Sequence, residues 1–220
     1  MTTQWFGERV PRREDDRLLR GAGRFTDDVD QGALEACFVR SPYAHARILG
    51  IDTTAARAHP GVHAVYTAAD LPFGDRDLPL LIPHPALTHG RTQRCLANSI
   101  VRYAGEAVAF VVADNRYLAE DAADLVEVEY EQLPVAWPLE RAAEAAALVH
   151  DDVPGNLAAE LLQATGDVEK ALNAAPRRRR LHFRYERGAA APMEARATWA
   201  RWDAAEQRLT MYDSTQSPTS

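Results

Sequence analysis

The chain has 220 residues, of which 46% are hydrophobic, and a formal net charge of −7 at neutral pH. These values predict one large or two small folded cores, and they exclude a disordered chain. The acidic balance argues against nucleic acid as a partner, and the longest apolar run is far too short to span a membrane.

The N-terminal residues 1–20 form a polar, basic leader that lacks the apolar segment of a secretory signal. We therefore expect a cytoplasmic protein without a membrane partner. The segment Gly21-Ala-Gly-Arg-Phe-Thr-Asp-Asp28 follows the leader, and its glycines and aspartates are typical of a turn.

The next part of the sequence predicts short strands around one short helix. The strands are expected at residues 34–40, 46–51 and 62–67. The helix is expected over residues 53–58, and Pro60 and Gly61 stop it. Residues 71–97 contain four prolines and show little periodicity, which predicts a long loop.

Residues 101–134 predict a strand, a helix and a second strand. Ala107–Ala113 is continuously apolar and rich in valine, which is typical of a strand that is buried on both faces. Asp114 and Asn115 offer N-cap oxygens for a helix of about three turns. From Val126 onward, apolar and acidic residues alternate, which predicts the second strand. If both strands share a sheet, a right-handed crossover should join them.

The C-terminal part begins with an alanine-rich stretch, and residues 139–165 are expected to form a helical or flexible connector. Asp167 is expected to cap a short helix that ends near residue 175. Three closing strands are expected at residues 181–186, 198–202 and 208–213, the last two as a hairpin. Because the chain offers these strands no further partner, we expect a partner chain or the first domain to cover their apolar face.

Five sequence segments form an ordered set of motifs. They are Gly21-Ala-Gly-Arg-Phe-Thr-Asp-Asp28, Arg40-Ser-Pro-Tyr-Ala-His-Ala-Arg47, the run over residues 101–134, Ala191-Pro-Met-Glu194 and Ser214-Thr-Gln-Ser-Pro218. In this order they resemble the large molybdenum-binding subunit of the molybdenum hydroxylases, the group of xanthine dehydrogenase, aldehyde oxidase and aerobic carbon monoxide dehydrogenase. A set of five motifs in order is far more specific than any one motif alone.

The resemblance implies an α+β fold (mixed α/β). Residues 21–138 would form a hammerhead-like domain, and residues 166–220 would be the opening strands of an incomplete molybdopterin-binding domain. The chain would then be the N-terminal part, or a split subunit, of a molybdenum-dependent hydroxylase or dehydrogenase. It would supply a scaffold and one wall of the molybdenum site, and it should be inactive alone.

The resemblance also implies a cofactor and partners. The cofactor would be molybdopterin, as the cytosine dinucleotide, with molybdenum. It would be held only together with the C-terminal material of the large subunit, and the isolated chain should carry none. The partners would be the remaining large-subunit polypeptide and the iron-sulfur and flavin subunits, with no nucleic acid and no membrane. The implied reaction transfers oxygen from water to an aldehyde, an N-heterocycle, a purine or carbon monoxide.

The resemblance implies one residue that faces the cofactor. The family's Ser-Thr-Gln glutamine lies beside the metal, and its counterpart here is Gln216. An amide can orient a metal-bound oxygen or a substrate without binding the metal. In the isolated chain, Gln216 would instead be a polar residue at a frayed end. Glu194 is implied to have a structural role, and neither Glu194 nor Glu106 corresponds to the family's catalytic glutamate, so no catalytic residue and no metal ligand is predicted.

Cysteine and arginine residues predict no further site. Cys37 and Cys95 lie far apart without a CxxC spacing, so we expect reduced thiols that pack as small apolar side chains. Four consecutive arginines occupy residues 177–180. In an acidic chain they favour a solvated strand entrance or a subunit contact over a nucleic-acid site.

The histidines likewise predict no metal centre. His59 and His63 are four residues apart, but Pro60 and Gly61 between them prevent a metal pair on one helical face. His45 has no acidic or cysteine neighbour in the sequence, and we expect it to be packed or solvated.

A second hypothesis for the chain belongs to a different class of function. The chain would be a non-catalytic interaction module, or a remnant, that keeps the hammerhead-like fold without a cofactor. Co-purification of molybdenum and a second polypeptide with the chain would separate the two hypotheses.

Overall fold

The computed structural model describes residues 6–7, 9–29, 32–80, 82–185, 188, 191–192 and 194–215. The chain divides into two compact units. Residues 34–180 form one unit, called the hammerhead unit after the domain that the resemblance implies for residues 21–138. Residues 1–33 together with residues 181–220 form the terminal unit. Within the described ranges, no helix has both the length and the apolar character that crossing a membrane requires.

Eight strands and four α-helices are described. The strands are β1 (Glu35–Arg40), β2 (Ala46–Asp52), β3 (Val62–Thr67), β4 (Ile100–Val101), β5 (Ala107–Ala113), β6 (Glu127–Gln132), β7 (Thr198–Asp203) and β8 (Arg208–Asp213). The helices are α1 (Asp15–Leu19), α2 (Thr54–Ala58), α3 (Arg116–Asp124) and α4 (Val168–Ala174). Short 3-10 helices lie at Thr26–Asp28, Ala68–Asp70, Leu139–Glu144 and Pro154–Asn156. This mixture of small sheets and short helices confirms the predicted mixed α and β fold class.

The first sheet of the hammerhead unit has the strand order β1-β5-β3, and both pairings are antiparallel. Its central strand, β5, contains the apolar run that the sequence predicts to be buried. Ala109 and Val111 of β5 pack with Val65, Ala56 and Ala122 in one core cluster, so α2 and α3 cover this face of the sheet. The prediction of a buried strand is therefore confirmed.

Helix α3 begins at one of the two cap residues that the sequence offers. Oδ1 of Asn115 accepts a hydrogen bond from the backbone N of Leu118 at 3.1 Å, which satisfies one of the free amides of the first turn. Ala119 and Ala122 are buried against the sheet. Oδ1 of the other cap candidate, Asp114, lies 2.7 Å from Nε2 of His63 instead.

The second sheet has the strand order β4-β2-β6, again with antiparallel pairing. Strands β5 and β6 therefore belong to different sheets, and the conditional expectation of a right-handed crossover between them does not apply. The sequence analysis missed β4, because a two-residue strand has no period to detect. Ala46, Val101 and Val108 are fully buried between the two sheets.

The connector after β6 is ordered by the side chain of Asn156. Its Nδ2 donates to the carbonyl oxygens of Ala142 and Ala147 at 2.8 and 2.9 Å, and its Oδ1 accepts from Val149 N at 2.8 Å. Of the two alternatives for this stretch, helical or flexible, the structure gives a helical turn of the 3-10 type at Leu139–Glu144.

Helix α4 starts as the sequence predicts. Oδ1 of Asp167 accepts a hydrogen bond from Lys170 N at 2.9 Å, which is the expected N-cap. The arginines at residues 177–180 follow the helix and are exposed, as expected for a solvated segment.

The terminal unit contains the hairpin of β7 and β8. Its strands pair in register from Thr198 opposite Asp213 to Asp203 opposite Arg208. The hairpin prediction is confirmed, and Oδ1 of Asp203 closes the turn by accepting from the backbone N atoms of Ala205 and Glu206, both at 3.0 Å.

One predicted strand is wrong. Residues 181–185 do not form a strand, and the side chains of Leu181, Phe183 and Tyr185 are 70%, 83% and 97% exposed. Alternation of apolar and polar residues defines two faces, but a strand also needs a neighbour that pairs with its backbone. In the described part of the chain, no sheet includes residues 181–185. A second difference is α1, which lies in the leader, where no helix was predicted.

Candidate functional site

The turn motif of the terminal unit is fixed by a glutamate from far along the chain. Oε1 of Glu194 accepts hydrogen bonds from Thr26 N at 2.9 Å and from Thr26 Oγ1 at 3.0 Å. Oδ2 of Asp28 accepts from Phe25 N at 2.8 Å and so closes the 3-10 turn at Thr26–Asp28. Glu194 is half-buried and works here as a fixed acceptor. This contact agrees with the structural role that the resemblance implies for Glu194.

Ser214 holds the Ser-Thr-Gln segment against the residues that follow Glu194. Its Oγ accepts from Ala197 N at 2.8 Å and lies 3.1 Å from the carbonyl oxygen of Ala195, to which it donates. Its backbone N donates to Ala197 O at 3.0 Å. These bonds extend the β7–β8 hairpin by one more pair toward the end of the chain.

Three motifs that are distant in the sequence therefore meet in the terminal unit. The turn around Thr26, the segment at Glu194 and the segment at Ser214 are linked by direct hydrogen bonds through Glu194 and Ser214. The predicted cofactor-facing residue, Gln216, lies outside the described residues. Its role stays a prediction, and Ser214, two residues before it, is held by the hydrogen bonds described above.

Trp199 contributes a polar group that the sequence analysis missed. Its Nε1 is buried and has no hydrogen-bond partner among the described residues. The indole ring lies 5.5 Å from the ring of Tyr212, its cross-strand neighbour, measured between centroids. A buried N–H without an acceptor is unfavourable and is rare in folded proteins. The indole N–H of Trp199 thus offers a donor to an acceptor that lies outside the described residues.

The remaining motifs meet in the hammerhead unit. Ser41 is 2% exposed, its backbone N donates to Glu106 O at 2.9 Å, and its carbonyl oxygen accepts from Gly105 N at 2.7 Å. Nη1 of Arg40 donates to Gly105 O at 3.0 Å. Oε2 of the buried Glu106 accepts from Arg102 N at 2.5 Å. The Arg-Ser-Pro segment and the Gly-Glu segment therefore stabilise each other, and this arrangement serves as scaffold.

His45, His59 and His63 have separate partners. His63 Nε2 lies 2.7 Å from Asp114 Oδ1, His59 Nδ1 lies 3.1 Å from Pro60 O, and His45 Nδ1 lies 2.7 Å from Pro134 O. Within the described ranges, no three His, Cys, Asp or Glu side chains are grouped so that they could hold a metal ion.

The two cysteines are free, but their surroundings differ. Cys37 is half-buried, and burial raises the pKa of its thiol, with Glu120 and Asp124 adding to this effect and Arg40 opposing it. Cys95 is exposed, so the expectation of a packed thiol is wrong at this position. Cys95 lies in the proline-rich loop and outside the helices and strands described above.

Two protein-family models match the sequence. Residues 20–134 match the family described as aldehyde oxidase and xanthine dehydrogenase, a/b hammerhead domain. Residues 149–220 match the molybdopterin cofactor-binding domain. The first match alone covers more than half of the chain.

Three similar proteins are all much longer than this chain. It is 40% identical over 219 residues to the nicotine 6-hydroxylase large subunit of Paenarthrobacter nicotinovorans, which covers 99% of this chain and 27% of that protein. It is 45% identical over 152 residues to the carbon monoxide dehydrogenase large chain of Afipia carboxidovorans, and the match covers 68% of this chain and 18% of that protein. The crystal structure of quinoline 2-oxidoreductase from Pseudomonas putida 86 matches with a TM-score of 0.83 and 38% identity, covering 94% of this chain and 26% of that one. The chain thus spans about a quarter of these relatives, or less.

Proposed function

Because the chain belongs to the aldehyde oxidase and xanthine dehydrogenase family of molybdenum hydroxylases, we propose that it forms the hammerhead scaffold and one wall of the molybdenum site of such an enzyme. The observation that carries the proposal is the junction of Thr26, Glu194 and Ser214 in the terminal unit. This junction brings three family-like motifs together and anchors the chain just before Gln216.

The described residues can line a bound molybdopterin cofactor, but they do not form a set of ligands for its metal. They contain no cluster of metal-binding side chains, so the cofactor would have to bring the metal's ligands with it. They do contain the unpartnered N–H of Trp199, which can donate to an acceptor outside these residues. When bound, the cofactor supplies the redox-active metal at which the substrate is hydroxylated.

Each residue of the wall has a distinct part in the proposal. The side-chain amide of Gln216 orients the substrate or a polar group of the cofactor, because it can both donate and accept without titrating. Ser214 fixes the backbone that carries Gln216, and Glu194 fixes the turn at Thr26. Glu106 is buried and accepts a backbone hydrogen bond, so the base that takes up the proton is assigned to another part of the enzyme.

The proposal includes partners and a substrate class. The relatives are named as large subunits or large chains, and this supports assembly with further subunits. We propose that the partners are the remaining large-subunit polypeptide and the iron-sulfur and flavin subunits that the resemblance implies. Nicotine and quinoline, which name two of the relatives, both contain a nitrogen heterocycle. We therefore favour an N-heterocycle as the substrate over an aldehyde, a purine or carbon monoxide.

Affinity purification of the tagged chain from its native cells tests the proposal. We expect a second polypeptide with a cofactor-binding domain to co-purify, and mass spectrometry of the extracted nucleotide to give the cytosine dinucleotide form of molybdopterin. Recovery of the chain alone, without a pterin, would instead support the non-catalytic interaction module.

A further inference from the structure

A cavity of about 510 Å³ lies within the hammerhead unit and is bordered by charged side chains. Its wall is formed by the proline-rich loop, by the segment around β4 and by residues 149–152. A volume of this size is typical of sites that take small molecules. None of the contacts proposed above for the terminal unit uses this cavity.

Glu106 gives the cavity a buried negative charge. The residue is 5% exposed, and its Oε2 accepts from Arg102 N at 2.5 Å. No cationic side chain of the described residues forms an ion pair with it. A buried carboxylate is costly unless a charged partner or several hydrogen bonds compensate it. Glu106 is therefore only partly compensated by the protein.

Arg102 gives the same cavity a positive charge that is also only partly compensated. Its Nε donates to Val149 O at 2.9 Å and its Nη1 to Ile100 O at 3.4 Å, so backbone carbonyls are its acceptors. Within the described ranges it has no carboxylate partner. The two other arginines in the wall differ, because Arg91 pairs with Asp77 and Asp152, and Arg94 pairs with Asp77.

His150 also lines the cavity. Burial lowers the pKa of His150, and Arg102 and Arg91 lower it further, against the opposing effect of Asp77 and Asp151. The imidazole is therefore neutral near pH 7 and adds no charge to the cavity.

We propose that this cavity binds a small zwitterion, such as an amino acid, with the carboxylate of the ligand on Arg102 and its ammonium group on Glu106. A ligand with one charge of each sign supplies the partner that each side chain lacks. A simple anion would leave the buried Glu106 without a cationic partner, and a simple cation would leave Arg102 without an anionic partner. The inference goes beyond the proposed hydroxylase function and does not depend on it.

Titration of the full chain, followed by nuclear magnetic resonance or calorimetry, tests the inference. The probes are glycine, β-alanine and γ-aminobutyrate, with acetate and methylammonium as the two single-charge probes. We expect at least one zwitterion to bind about tenfold more tightly than either single-charge probe. Equal binding of acetate or methylammonium, or no binding of any zwitterion at millimolar concentration, would overturn the inference.

Two variants locate the site. Arg102→Gln and Glu106→Gln should each weaken binding of the preferred zwitterion by about tenfold, because each removes one charged contact. Arg47→Gln is the control, since Arg47 pairs with Glu131 and does not line the cavity. Binding that is unchanged in both folded cavity variants would contradict the assignment. If a variant does not fold by circular dichroism, the probe series on the unmodified chain decides the question alone.

Discussion

Glu194 and Thr26 are 168 positions apart, yet one carboxylate oxygen of Glu194 accepts hydrogen bonds from both the backbone N and the hydroxyl of Thr26. These two bonds join the N-terminal turn to the C-terminal segment of the terminal unit. Since Ser214 is tied to the residues just after Glu194, the same contact sets the position of the Ser-Thr-Gln segment. The site proposed for the cofactor depends on this junction.

Replacement of Glu194 tests the junction. Glu194→Ala leaves two donors of Thr26 without their acceptor, and we expect the free energy of unfolding to fall by about 1–3 kcal/mol. Hydrogen exchange at the Thr26 amide should become faster, while Glu206→Ala, which removes an exposed partner of Arg208 in the hairpin turn, should leave that amide unchanged. Unaltered protection of Thr26 in Glu194→Ala would show that the contact is not formed in solution.

Gly74 tests the packing of the loop that follows β3. A Cβ built on Gly74 would lie 1.8 Å from the carbonyl oxygen of Ala68, so any side chain forces the backbone apart. We expect Gly74→Ala to reduce the free energy of unfolding by about 2 kcal/mol or more. Gly50→Ala is the matched control, because a Cβ on Gly50 meets no atom within 4 Å. Equal thermal midpoints for the two variants would contradict the loop conformation.

The stability of the hammerhead unit should depend on pH through His150. Burial, with Arg102 and Arg91, lowers the folded-state pKa of His150 below its ordinary value of 6.5. A base with a lowered pKa contributes stability that is present above pH 6.5 and lost as the pH falls toward the folded-state pKa. His150→Gln should therefore reduce the dependence of the thermal midpoint on pH over this acidic range. His182→Gln, a control at an exposed position, should leave that dependence unchanged. Identical pH profiles for His150→Gln and the unmodified chain would refute this contribution.

Gln216 is tested in the assembled enzyme. Gln216→Ala should retain molybdenum and lower kcat by about 10-fold to 100-fold, because the proposal assigns the amide to orienting the reacting groups and not to binding the metal. Gln207→Ala, in the turn of the hairpin, is the control for loss of a glutamine side chain. Loss of molybdenum together with activity in Gln216→Ala would assign Gln216 to cofactor retention instead.

The sequence predicts those elements that carry their own period or cap. Strand β5, the hairpin of β7 and β8, and the caps Asn115 and Asp167 all follow from local patterns, and the structure confirms them. These features depend on residues within a few positions of each other, so a single sequence contains the information.

Features that depend on distant partners could not be predicted in the same way. The alternation at residues 181–186 predicts a strand, but no sheet in the described part of the chain includes residues 181–185. Strands β5 and β6 lie in different sheets because β5 pairs with β1 and β3, and β6 pairs with β2. The bond between Thr26 and Glu194 likewise joins segments that no local pattern relates. The family resemblance pointed to both segments, but only the structure brings them into contact.

The molybdenum content of the complex that contains this chain tests the central claim most directly. The tagged chain, purified from its native cells and analysed by mass spectrometry of the metal, should carry about one molybdenum atom per chain, as one cofactor per site requires. A chain that remains free of molybdenum in cells with active molybdenum enzymes would contradict the assignment of a cofactor-site wall.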